Sequence, residues 1–268
     1  MKAVLCVEHG PPEKLVVRDV AVPEPGKGQV RISVKAVGVN FPDTLIIQNL
    51  YQFKPALPFS PGGECAGVVS AVGEGVTDVA VGDSVIAMIG HGAMAEEAIA
   101  IRGQVVKMPP GMPFDVAAGF TMTYGTSHHA LKQRGQLKPG ETLLVLGAAG
   151  GVGLTAVELG KVMGAKVIAA ASSDEKLELC KAMGADELIN YSSEDLKERV
   201  KQLTGGRGAD VIYDPVGDRF AEPAFRGIAW NGRYLVIGFA AGAIPALPLN
   251  LPLIKGASIV GVFWGAFT

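Results

Sequence analysis

Gly140-Glu141-Thr142-Leu143-Leu144-Val145-Leu146-Gly147-Ala148-Ala149-Gly150-Gly151-Val152-Gly153 reads as an apolar strand that ends in a glycine-rich turn and runs directly into a helix. From Ala148 to Gly153 the spacing is Gly-x-Gly-x-x-Gly with alanine in the first place. Gly150 lets backbone approach a pyrophosphate and Gly153 lets the helix pack against the strand, while the free N–H groups and dipole of the helix N-terminus hold the phosphates. Alone, such a run is a weak signal, because a glycine-rich turn of purely structural use looks the same. Here a second strand and helix follow at the distance a dinucleotide site requires.

Beyond this motif, apolar strands are expected at 166–171, 187–191, 210–213, 234–237 and 258–263, with helices starting at Gly151 and ending near Met183 and Leu203. Short buried strands alternating with amphipathic helices imply a parallel, doubly wound α/β sheet, here of six strands. Upstream, the residues to about 110 read instead as short strands punctuated by Gly and Pro, with period-two alternation clearest from Val30 to Lys35. Two strands around glycine-rich turns continue that pattern through 64–87. A proline-free helical run, 117–133, then leads into the dinucleotide motif. We therefore expect a β-rich domain over 1–115 and a nucleotide-binding domain over 116–268. The sequence stops at Thr268 with the far side of its last strand uncovered, and we expect a truncated or incompletely recorded chain.

The 268 residues are 49% hydrophobic and 19% charged, enough apolar surface for a real core. A formal net charge of -2 gives no basic footprint for phosphate backbones or anionic lipid, so the expected partner is a small molecule rather than nucleic acid or membrane. Met1 opens a strand-like stretch with no secretory pattern, which points to the cytoplasm. The apolar stretch 239–254 is interrupted by Pro245, Pro248 and Pro252 and falls short of the roughly 20 apolar residues of a membrane span. Cys6, Cys65 and Cys180 are odd in number and lack C-x-x-C spacing, so they read as buried thiols, with no disulfide and no metal expected.

Which dinucleotide binds depends on the end of the second strand, where NAD-preferring sites place an acid on the ribose 2′-OH. Val167-Ile168-Ala169-Ala170-Ala171-Ser172-Ser173 ends in small neutral residues, followed by Asp174, Glu175 and Lys176. Ser172 and Ser173 can hydrogen-bond a 2′-phosphate and Lys176 can neutralise it, which favours NADPH. Ser173 also reads as a helix cap with Asp174 and Glu175 set at the helix dipole, and the two readings are compatible.

These residues resemble the medium-chain dehydrogenase/reductase superfamily along the whole chain. The order of a β-rich domain, the glycine motif, Ala182-Met183-Gly184-Ala185-Asp186, Ile189-Asn190-Tyr191 and Asp214-Pro215-Val216-Gly217 carries that likeness, while Asn40-Phe41-Pro42-Asp43 and Gly62-Gly63-Glu64 are similar to its quinone oxidoreductase, zeta-crystallin-like, branch. The resemblance implies a GroES-like first domain and a Rossmann second domain. It also implies loss of metal: Gly63 stands where zinc-dependent members carry a ligating histidine, their cysteine positions match Asn40 or its neighbours and Met122, and the four-cysteine structural lobe is missing.

What the resemblance further implies is a cofactor cradle. Asn40, Phe41, Asp43 and Thr126 are expected near the nicotinamide, and Gly150, Gly151, Val152 and Gly153 at the pyrophosphate. Ser172, Ser173, Lys176 and Tyr191 are expected around the adenosine 2′-phosphate, with Val216, Gly238, Phe239, Phe263 and Trp264 closing over the rest. Leu45 stands where several relatives carry a substrate-facing tyrosine, leaving Tyr51 as the nearby phenol.

Quinones accept hydride without metal because their conjugated carbonyls are electron sinks, and enones and 2-enoyl thioesters share that property. Asn40, Tyr51 and Thr126 are the candidate orienting donors, with Asp43 a proton donor only if its pKa is strongly raised; otherwise it starts a helix. His128 and His129 are adjacent on a helical stretch and face different ways. The leading expectation is NADPH-dependent, metal-free reduction of quinones. The alternatives are reduction of enones or 2-enoyl thioesters, and a non-catalytic NADPH-binding protein of structural or RNA-binding role. The segment 258–264 is expected at a sheet edge, where its open backbone invites pairing with a second copy as a homodimer.

Overall fold

The structure is a computed structural model and describes residues 1–267. It divides into two compact units, Met1–Met122 and a second that begins at Thr123.

The first unit is β-rich. A two-stranded ribbon, β1 (Lys2–Leu5) with β2 (Val16–Asp19), accompanies a five-stranded antiparallel sheet of β3 (Gln29–Gly38), β4 (Glu64–Val72), β5 (Ser84–Met88), β6 (Glu97–Ile101) and β7 (Val105–Lys107). The sheet runs in the order β6-β3-β4-β5-β7. Alternation explains it: Val30 and Ile32 of β3 point one way into a core with Cys65, Val69, Val85 and Ala87 from β4 and β5. Two short helices belong to this unit, α1 (Phe41–Ile46) directly after β3 and α2 (Phe114–Ala118), which lies on β3 and β4.

Helix α3 (Phe120–His128) carries the chain into the second unit, where six strands run parallel: β8 (Thr142–Leu146), β9 (Lys166–Ala171), β10 (Glu187–Asn190), β11 (Ala209–Asp214), β12 (Ile228–Val236) and β13 (Ser258–Gly261). Their order, β10-β9-β8-β11-β12-β13, reverses direction between β8 and β11. Both faces of the sheet are covered. Leu143 and Val145 of β8 join Val167, Val211 and Tyr213 in one core, and Leu144 and Leu146 join Ile168, Ile212 and Tyr234 in another. Residues from α4 (Gly151–Val162) and α5 (Asp174–Ala182) fill the first; α6 (Leu196–Leu203) and α7 (Ala221–Arg226) fill the second. This is the doubly wound Rossmann arrangement the alternating pattern implied. A last helix, α8 (Asn250–Lys255), packs on β12.

Two local readings change. The single helix expected over 117–133 is broken: α2 stops at Ala118, capped at Gly119, and α3 passes into a π-helical stretch, His129–Arg134. An i+5 bond closes that wider turn. Gly135 donates its N–H back to the Ala130 carbonyl at 2.7 Å, and a Cβ at Gly135 would stand 2.9 Å from Leu235 Cδ1. The strand expected at 234–237 begins earlier, at Ile228, and carries an irregularity in its register with β11. Trp230-Asn231-Gly232 looks like a turn because Asn231 does adopt φ of +59°, yet the chain on either side of it pairs with the same neighbour.

Candidate active site

The turn after β8 is built by glycines that cannot be replaced. Gly147 has φ of +55°, and a Cβ there would lie 2.7 Å from Val216 Cγ2; a Cβ on Gly153 would lie 2.2 Å from the Gly147 carbonyl oxygen. Gly150 and Gly151 are exposed, and a Cβ on either would meet nothing closer than 3.3 Å. The first helical bond of α4 runs from Leu154 N–H to the Gly150 carbonyl at 2.7 Å, so the N–H groups of the first turn have no partner within the helix. A cradle results at the point where the strand order reverses, with N–H groups and a positive helix end open to an anion.

At the end of β9 the predicted 2′-phosphate residues come together. Lys176 Nζ donates to Ser172 Oγ at 2.9 Å, and the Tyr191 phenol, whose pKa burial raises and the Ser172 hydroxyl lowers, belongs to the same group. Ser173 is the N-cap of α5 and accepts from Lys176 N–H at 3.4 Å, so its capping role is real. Asp174, the nearest acid, is turned aside: its Oδ1 accepts from Asn190 Nδ2 at 2.7 Å.

Across the reversal point, the end of β11 makes a second polar feature. Asp214 is buried and accepts from Val216 N–H at 2.7 Å, from Gly217 N–H at 2.9 Å, and from the Tyr234 phenol. Burial pushes its carboxyl up despite these donors, and pushes the Tyr234 phenol up as well. The carboxylate thereby fixes the turn that carries Val216, and Phe239 packs against Gly217. Thr126 is buried on α3 beside Ser127, whose hydroxyl bonds both Thr155 and Tyr213 inside the unit. Trp264 packs over Gly125 of the same helix, while Phe263 is half exposed. Of the adjacent histidines, His128 is exposed and His129 is buried, its ring stacked on Phe267 with centroids 4.1 Å apart.

In the first unit, Asn40 is the N-cap of α1, and Asp43, buried in its first turn, accepts the Asn40 N–H at 2.8 Å. Gly62 and Gly63 N–H groups also reach the Asp43 carboxylate, yet burial outweighs them and raises its pKa. Asn40 turns its side chain away from the helix, and its Nδ2 donates to Glu64 Oε1 at 2.9 Å. Phe41 is exposed, and Tyr51 packs against a small core of Cys6, Ile46, Ile47 and Phe59, where burial raises its phenol. Sequence reasoning missed Glu64 and Asp214 as structural centres. Both were visible as single acids bordering apolar strands, a position where a carboxylate must find donors.

No group of three His, Cys, Asp or Glu that could hold a metal occurs among the described residues. Glycine at 63, asparagine at 40 and the Met122 thioether do not make a zinc donor set.

Two family models match, the alcohol dehydrogenase GroES-like domain over residues 26–110 and the zinc-binding dehydrogenase domain over 151–268. The chain belongs to the medium-chain dehydrogenase/reductase superfamily, in its quinone oxidoreductase branch. It is 44% identical to the quinone oxidoreductase-like protein 2 homolog of Nematostella vectensis over 268 residues, 99% of this chain and 73% of that one. Among solved structures it is similar to the Pseudomonas syringae quinone oxidoreductase, with 36% identity, a TM-score of 0.94 and coverage of 99% of this chain and 82% of that one. It is likewise similar to the Escherichia coli quinone oxidoreductase complexed with NADPH, with 32% identity, a TM-score of 0.94 and coverage of 100% and 82%.

Proposed function

We propose that this NADPH-dependent oxidoreductase delivers its hydride to quinones without a metal. The observation that carries the reading is the Ser172, Lys176 and Tyr191 group at the end of β9, next to a glycine cradle that side chains would fill. An ammonium and two hydroxyls suit a phosphate dianion, whereas Asp174 is engaged by Asn190. NADPH, when bound, supplies a hydride from its nicotinamide ring. Gly150 to Gly153 hold the pyrophosphate by backbone N–H groups, and Ser172, Ser173, Lys176 and Tyr191 hold the 2′-phosphate. Val216, Gly238, Phe239, Phe263 and Trp264 close over the remainder.

In this reading Asn40, Phe41 and Thr126 orient the nicotinamide, and Asn40, Tyr51 and Thr126 orient the acceptor. Asp43 accepts the Asn40 N–H and so holds the start of α1 in place, and burial raises its pKa. The quinone needs no Lewis acid because its second carbonyl delocalises the developing charge. We further infer a homodimer formed through the edge of β13, and work in the cytoplasm, where Cys6, Cys65 and Cys180, all buried and unpaired, stay as thiols.

Calorimetric titration with NADPH and NADH, followed by turnover with 1,4-benzoquinone, a small enone and an acryloyl thioester, tests this. We expect NADPH to bind at least about tenfold tighter than NADH, and the quinone to be turned over fastest. Tight NADH binding with none for NADPH overturns the cofactor, faster enone or thioester turnover overturns the acceptor, and NADPH binding without oxidation by any acceptor assigns a non-catalytic role.

A further inference from the structure

Glu64 opens β4 with its side chain fully buried, and no cation faces it among the described residues. A bare carboxylate in such a place is strongly disfavoured unless donors surround it. The donors are specific. Oε1 accepts from Asn40 Nδ2 at 2.9 Å and Oε2 from Met122 N–H at 2.9 Å, with Thr121 N–H also directed at the group. Burial raises the Glu64 carboxyl, with Asp43 adding to the rise, yet both oxygens are committed as acceptors.

The orientation this imposes falls on Asn40. An N-cap asparagine ordinarily turns its side-chain oxygen onto the first-turn N–H groups of its helix. Here Asp43 N–H takes the Asn40 backbone carbonyl at 3.0 Å, and the side chain is left to reach Glu64. An amide has one donating and one accepting end, and a carboxylate can receive only the donating one. We propose that Glu64 is a positioning residue that locks the Asn40 amide, with Nδ2 turned inward and Oδ1 presented as a fixed hydrogen-bond acceptor to the bound reactants. The inference rests on the reading of Asn40 given under Proposed function.

The test is a side-chain exchange across the pair. In Glu64→Gln the carbonyl end stays with the Met122 and Thr121 N–H groups and the new amide N–H₂ meets residue 40, so Asn40 must rotate and present a donor where it had an acceptor. Asn40→Asp sets two carboxylates face to face. In the E64Q/N40D double variant the introduced amide donates to the introduced carboxylate, whose second oxygen is again an acceptor. With NADPH and 1,4-benzoquinone, we expect each single variant to lose about 10-fold or more in kcat/KM. The double variant should return to within about 3-fold of the parent, a coupling that independent losses do not give. NADPH affinity and Tm are read alongside.

A double variant no better than the worse single one overturns the proposal. So does an E64Q protein with parental kinetics when N40A loses about tenfold, a result that keeps Asn40 at the reactants. Parental kinetics in N40A, N40D and E64Q alike instead remove Asn40 from the site, and the underlying reading fails. Should E64Q alone not fold, the double variant decides: a folded, active protein supports the inference, and an equally unfolded one overturns it.

Discussion

Lys176 concentrates the cofactor question in one side chain. It is exposed at the start of α5, its Nζ lies 2.9 Å from Ser172 Oγ, and its own N–H is the one Ser173 caps. Removing the ammonium leaves the cap intact, because the capped group is backbone. Lys176→Ala should therefore weaken NADPH by about 10- to 30-fold, leave NADH binding and Tm nearly unchanged, and show both in parallel titrations. Equal loss of the two dinucleotides would mean that Lys176 does not read the phosphate. Residue identities of this kind were legible in the sequence, since small neutral residues at a strand end followed by a lysine need no coordinates to be noticed. The role of Glu64 was not. Its neighbours Gly62 and Gly63 drew attention to a lost metal ligand, and only the fold brings Asn40 from 24 residues away onto its oxygen.

At the level of elements, the six-stranded sheet followed from alternation of short apolar runs with helices, because the central strands of a doubly covered sheet must be apolar on both faces. The departures lie where tertiary contacts overrule local preference: the π stretch at His129–Arg134 and the irregular β12. Arg233 ties these two places together. Its guanidinium donates to the Gly135 and Gln136 carbonyls and makes a paired contact with Glu141, both side chains about 20% exposed. Burial works to raise the Glu141 carboxyl, but Arg233, with Lys138 N–H, outweighs it and holds the group below the usual range. A folded pKa below the unfolded one contributes stability that is complete above the ordinary glutamate range, near pH 4.3, and is lost as pH falls through the folded value. Arg233→Ala should cost about 2 kcal/mol in urea unfolding at neutral pH, and the gap from the parent should narrow as pH drops towards 3. A gap that does not change with pH would put the stabilisation in the carbonyl contacts alone.

For the whole molecule, the open side of β13 is the feature that bears on assembly. Among the described residues the strand pairs only with β12, Ile259 on it is 43% exposed, and Leu253 and Ile254 on neighbouring α8 are exposed too. Ile259→Lys places a charge on that edge, a device that discourages strand pairing. Sedimentation should give a dimer for the parent and a shift towards monomer for the variant, with NADPH binding retained; a parent that sediments only as monomer ends the dimer reading. The alternating side chains of β8 carry a different consequence. Because neighbouring residues on this central strand serve opposite hydrophobic compartments, a slip by one position would exchange their contents, sending every side chain to the wrong tenant. The two layers thus share a party wall, and neither can be rearranged without evicting the other.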